Sequence, residues 1–151
     1  MTAIEHASQI LDTMLGYLGF NVRIDLVEDA EGQLLQVHTD EGSKLIGKHG
    51  STMEDIQYLV NRVLQRHLPD APRIRVDIDY YRAMKEERMV NDARECGERV
   101  RLTGKSETLP PLNSYHRRLI HNLFVNDPEL QSISLDSNAR FKRIQIRKRR
   151  S

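Results

Sequence analysis

Apolar residues recur along the chain in two rhythms, and the switches between them mark the elements. Ile4, Ala7, Leu11, Met14, Leu15 and Leu18 fall at three- and four-residue spacing, the stripe of an amphipathic helix, and Gly19 stands where such a helix stops. Val22, Ile24 and Leu26 alternate with polar residues, and after the turn Asp29-Ala30-Glu31-Gly32 so do Leu35 and Val37, which predicts two paired strands. Ser43 to Ile46 leaves room for about one turn of helix before Gly47-Lys48-His49-Gly50. A longer helix follows, with Met53, Ile56, Leu59, Val60, Val63 and Leu64 as its stripe and Ser51 and Glu54 as a capping box. Pro69 and Pro72 end it, and Ile74, Val76 and Ile78 alternate as a third strand.

From Tyr81 to about Leu102 the pattern is one long helix, with Val90, Ala93, Cys96, Gly97 and Val100 on its apolar side and Gly104 beyond its end. Asn113 is an N-cap after Pro110-Pro111, and Leu119, Ile120, Leu123 and Phe124 form the stripe of a helix that ends near Asp127-Pro128. Ser106 to Leu109 reads as a strand, as do Gln131 to Leu135 and Phe141 to Arg147, the last two joined by the turn Asp136-Ser137-Asn138. The expected fold class is α+β, ordered α-β-β-α-α-β and then α-β-α-β-β. The boundary falls at Asp79/Tyr80, giving domains 1–79 and 80–151 with no flexible linker.

Composition narrows the function. At 38% hydrophobic residues the chain can bury a core, and it holds no apolar run near the roughly 20 residues of a membrane span. Its only cysteine, Cys96, excludes an intramolecular disulfide framework and a CxxC metal or redox motif, and a cytoplasmic location follows as the expectation. The 23 basic and 22 acidic residues nearly cancel, yet they are segregated: residues 1–79 carry net −6 and residues 80–151 net +7. Arg140, Lys142, Arg143, Arg147, Lys148, Arg149 and Arg150 crowd the C-terminus with no acid among them, as in a solvated tail or a polyanion contact.

Gly47-Lys48-His49-Gly50 lies between two helices, so the unpaired N–H groups of the second helix face outward at the positive end of its dipole, a geometry that suits a phosphate. The glycines equally serve a tight turn. Gly42 to His49 nearly spells the nucleotide-binding GxxxxGK(S/T), but His49 stands where a hydroxyl must ligate magnesium, which sets NTP hydrolysis aside. Leu45-Ile46-Gly47-Lys48-His49-Gly50 with the capped helix resembles the (I/V)IGxxG signature of KH domains, in the type II arrangement. The resemblance implies that Gly47, Lys48, His49 and Gly50 clamp a nucleic-acid backbone, that Ile46 lines an apolar groove for bases, and that Ser51 and Thr52 present the helix N-terminus. Carboxylates placed at Gly47 and Gly50 are expected to abolish binding without unfolding the domain.

Arg117 and His121, four apart, share a helix face at the edge of the apolar arc and can offer donors to a phosphate. The same spacing is compatible with local packing. Leu109-Pro110-Pro111-Leu112-Asn113-Ser114-Tyr115-His116-Arg117-Arg118-Leu119-Ile120-His121 resembles the defining segment of the domain named for its Arg-three-residues-His motif, RxxxH, which binds single-stranded nucleic acids. A KH domain followed by that domain resembles the Jag family of bacterial RNA-binding proteins. The chain departs from the pattern at His116, usually Glu, and at Tyr80, where Gly is common, and it is expected to lack the family's N-terminal Jag domain.

The resulting expectation is a non-enzymatic binder of single-stranded RNA, with single-stranded DNA as a second ligand. It would grip through Ile46, Gly47, Lys48, His49, Gly50, Ser51 and Thr52, and through Arg117, Arg118, His121, Lys142, Arg143 and Arg147. No cofactor or metal is called for, and a KH-mediated homo- or hetero-oligomer is open. The alternatives are a nuclease using His121 or His49 as general acid or base, which lacks a clear catalytic partner or metal cluster, and a protein-interaction scaffold.

Overall fold

The structure, a computed structural model, describes residues 1–135 and 141–150. It is a mixed α+β fold that divides into two compact units, Met1–Ala83 and Met84–Ser151.

In the first unit α1 (Ala3–Tyr17) precedes β1 (Arg23–Asp29) and β2 (Gly32–His38), then come α2 (Gly42–Ile46), a 3-10 turn (Lys48–Gly50), α3 (Ser51–His67) and β3 (Arg75–Ile78). Strand order is β1-β2-β3, with β1 antiparallel and β3 parallel to the central β2. Thr2 caps α1 in a box with Glu5, a T-x-x-E signal that hydrophobic periodicity does not register. Leu11 and Leu15 of α1, Met53, Val60 and Leu64 of α3, and Leu35, Val37, Ile74, Val76 and Ile78 form a fully buried core.

Three local expectations change. Ser51 already has helical backbone and the N-cap is Gly50, so the Ser51–Glu54 box does not form; Glu54 Oε1 instead accepts from Arg82 Nη1 at 3.0 Å. Leu59 and Val63 are exposed, because α3 turns Gln57 and Asn61 inward. The Asn61 amide donates to the Ile74 carbonyl at 2.7 Å and accepts from the Ile74 N–H at 2.8 Å, while Gln57 Oε1 accepts from Val76 N at 2.9 Å. These bonds satisfy main-chain groups where α3 meets β3, which outweighs the burial of Leu59 and Val63. Asp77, expected on a polar face, is buried and accepts from Gln36 Nε2 at 3.1 Å and from the Arg82 N–H at 3.2 Å.

The second unit takes most of α4 (Tyr81–Thr103), then β4 (Glu107–Thr108), α5 (Ser114–Phe124), β5 (Leu130–Ser134) and β6 (Ile144–Lys148), in an antiparallel sheet ordered β4-β6-β5. Asn113 caps α5 through its side chain, accepting from the His116 N–H at 2.8 Å. Ala93, Cys96, Val100, Ile120, Phe124, Leu130, Ile144 and Ile146 are buried together, so the helices cover one face of the sheet. β6 starts at Ile144 rather than Phe141, which is half-exposed. The expected turn Asp136-Ser137-Asn138 and Arg140 lie outside the described residues.

Candidate nucleic-acid interface

The glycine loop is built around three residues of positive φ: Gly47 (φ 71°), His49 (φ 56°) and Gly50 (φ 82°). That sequence of angles turns the chain so that Lys48 and His49 stand toward the tip, while Gly50 is buried beneath. A Cβ on Gly47 would collide with the Thr52 hydroxyl, and one on Gly50 would lie 2.9 Å from the ring of Tyr81. Both positions therefore need glycine for approach as well as for backbone angle. The expectation that aspartates there leave the fold intact is overturned. Ile46 packs against the core but stays half-buried; Ser51 is exposed and Thr52 half-buried, both in the first turn of α3.

In the second unit α5 holds both flanks of the start of β6. Arg117 Nη1 donates to the Leu112 carbonyl at 2.6 Å, and the Leu112 N–H donates to the Lys142 carbonyl at 2.9 Å. On the other flank His121 Nδ1 lies 2.6 Å from Ser132 Oγ and Nε2 lies 2.9 Å from Ser134 Oγ, while the Leu135 N–H donates to the Arg143 carbonyl at 2.9 Å. Lys142 and Arg143 thus sit between the segments that Arg117 and His121 secure. The rest of the Arg117 guanidinium, with its fork of donors, is available beside them. Arg118 lies on α5 next to Arg117.

Two members of the basic C-terminus behave differently from a solvated tail. Arg147 alternates with the core residues Ile144 and Ile146, which places it on the sheet face away from the helices and outside the Arg117–Lys142 group. Arg149 closes the end of α5: its Nη2 donates to the Phe124 carbonyl at 3.0 Å and its Nε to the Asp127 carbonyl at 2.7 Å. Tyr115 and Phe141, each 50% exposed, are aromatic surfaces that charge and motif spacing alone do not single out. The signal was an aromatic residue directly before Lys142 and another two before Arg117.

Burial lowers the pKa of His116, outweighing Glu86, so an uncharged imidazole occupies the position that usually carries Glu. Tyr80 has φ 58°, directly after Asp79 at φ 48°, which explains why glycine suits that site. Among the described residues no group of three His, Cys, Asp or Glu could hold a metal ion, and no helix is long and apolar enough to cross a membrane.

Residues 87–148 match the domain family named for its Arg-three-residues-His motif, a stretch that contains Arg117, His121, Lys142, Arg143 and Arg147. Over a longer span the chain is similar to proteins named RNA-binding protein KhpB. In Clostridium symbiosum the identity is 31% over 125 residues, covering 83% of this chain and 55% of the relative. In Lactiplantibacillus plantarum it is 27% over 133 residues, covering 88% and 41%, and in Bacillus subtilis 25% over 119 residues, covering 79% and 57%. The chain spans about half the length of these curated relatives, and the alignments are longer than the second unit, so they extend into the first.

Proposed function

We propose that the chain is a bivalent, non-enzymatic binder of single-stranded RNA that also accepts single-stranded DNA. The observation that carries this reading is the placement of Arg117 and His121 on the two flanks of the β6 start, beside Lys142 and Arg143, within the stretch that matches the RxxxH domain family. A phosphate set there meets planar Arg donors and two further cations, and Tyr115 and Phe141 offer faces for bases. The RNA-binding names of the relatives agree with it.

The first unit is read as a type II KH module of residues 1–79, supported by the order α-β-β-α-α-β and by the Gly47–Gly50 loop at the start of α3. Residues 80–151 are the second module. In this reading Lys48 and His49 follow one stretch of backbone and the Arg117 group another, so two weak grips add through effective concentration. His121 has each ring nitrogen against a serine hydroxyl, the setting of a fixed imidazole rather than of a general base. Cytoplasmic location and KH-mediated association belong to the same proposal.

The test is fluorescence anisotropy of a short labelled single strand at several salt concentrations, with a denaturing gel of the same mixture. Salt-sensitive binding that leaves the RNA intact supports the reading. Cleavage of the RNA would make the protein a nuclease, and no binding at low salt would leave a scaffold.

A further inference from the structure

The first unit is acidic, and several of its cations are spoken for: Arg23 pairs with Asp25, Lys44 with Glu41, Arg75 with Asp29 and Arg82 with Glu54. Arg62, Arg66 and Arg73 make no ion pair among the described residues, although carboxylates outnumber cations there. All three border one open region on α3. A cleft of about 400 Å³ is lined by Tyr58, Asn61, Arg62 and Arg73, among others, and a second of about 400 Å³ by Arg62, Val63 and Arg66. Tyr58 is 66% exposed.

The cleft is held in shape by buried groups. Asn61 exchanges two hydrogen bonds with the main chain of Ile74, and this fixes Arg73, the residue before it, against α3 beside Arg62 and Tyr58. Glu54 also lines the cleft, but its carboxylate is engaged by Arg82 at 3.0 Å. Guanidiniums without carboxylate partners around an exposed aromatic ring match a nucleotide: a phosphate for the arginine forks and a base for the ring face. A carboxylate side chain would use only the first.

We infer that this cleft is a further nucleotide subsite, in which a base of bound RNA stacks on Tyr58 and its phosphate is held by Arg62 and Arg73, with Arg66 extending the basic track. The inference rests on the RNA-binding reading above. Arg62 is eleven residues along α3 from Ser51, about 16 Å at 1.5 Å per residue, so a strand leaving the glycine loop reaches it within a few nucleotides.

The test uses the full chain and two RNAs, one of about four nucleotides, the length a GxxG loop clamps, and one of about 20. Arg62→Ala with Arg73→Ala should weaken the longer RNA roughly five- to thirtyfold and leave the shorter one unchanged, the range for lost charge-assisted bonds. Tyr58→Trp gives a chain that otherwise has no tryptophan a single one, and its fluorescence should be quenched as the longer RNA saturates. Unchanged affinity of the double arginine variant for the longer RNA, or absence of quenching at saturation, overturns the subsite. Equal quenching by polyglutamate overturns its assignment to a nucleotide. Failure of the unmodified protein to bind either RNA would instead overturn the RNA-binding reading itself.

Discussion

Arg149 donates from Nη2 to the Phe124 carbonyl at 3.0 Å, so a residue of the basic C-terminus is the cap of helix α5. A cation there also meets the negative end of the helix dipole. Arg149→Ala should therefore lower the stability of the protein by about 1 to 2 kcal/mol, the range for bonds from a charged donor, while Arg150→Ala leaves it unchanged. Urea unfolding of the full chain checks both. Removing everything from Arg147 onward would mix lost charge with lost fold, so the electrostatic contribution is better measured with Lys148→Ser and Arg143→Ser, which should flatten the salt dependence of RNA binding.

At the glycine loop the informative residues are the two at its tip. Lys48→Asp with His49→Asp puts carboxylates where a phosphate would lie and should cut RNA affinity at least about tenfold with an unchanged melting temperature, since neither side chain is buried in the core and aspartate tolerates the left-handed angle of His49. Gly47→Ala should do the reverse of a clean test: the added methyl meets the Thr52 hydroxyl at a backbone angle that favours glycine, and thermal melting should reveal the loss.

These two cases show what periodicity conveys and what it hides. The stripes of α1 and α5, the glycine stops at Gly19 and Gly104 and the Asn113 cap were legible because each rests on a few neighbouring residues. The inward turn of Gln57 and Asn61 was not, because their partners Val76 and Ile74 lie on a later segment 19 and 13 residues away and nothing local marks the pairing. At the site, Lys48 and His49 stand at the loop tip as the motif indicated, and Arg117 and His121 share a face. Arg147 and Arg149 could not be told from tail residues, since a run of cations looks alike whether it ends a strand, caps a helix or reaches into solvent.

His116 gives the second unit a pH dependence. Burial lowers its pKa, so the folded state prefers the neutral ring and the unfolded state binds the proton more readily. The contribution is present in full above the unfolded value of about 6.5 and is lost as the pH falls toward and through the lower folded value. Asp127 is shifted in the stabilising direction by Arg101, and its contribution is lost only in the acid range below about pH 4. Melting temperatures should thus begin to fall as the pH drops below about 6.5, and His116→Gln should remove that first decline while leaving the second. An identical pH profile in the variant would remove His116 as the cause.

Arg117 and His121 share a helix face but secure different segments, Arg117 the Leu112 carbonyl and His121 the serines of β5. Stability and binding should separate accordingly. His121→Ala leaves Ser132 and Ser134 without the imidazole and should cost about 1 to 2 kcal/mol of stability. Arg117→Ala removes a different bond, so the two losses should add to within about 0.5 kcal/mol in a double-mutant cycle read by denaturant unfolding. Binding tells the other half. Arg117→Lys keeps the charge but loses the planar fork, and it should weaken a short RNA by about 1 to 3 kcal/mol at constant salt slope, because the number of neutralised phosphates is unchanged. A protein that attracted RNA by net charge alone would bind equally well after this substitution. Wild-type affinity in Arg117→Lys would therefore leave Arg117 as a brace for the Leu112 segment, and the phosphate contact would have to be sought at Lys142 and Arg143.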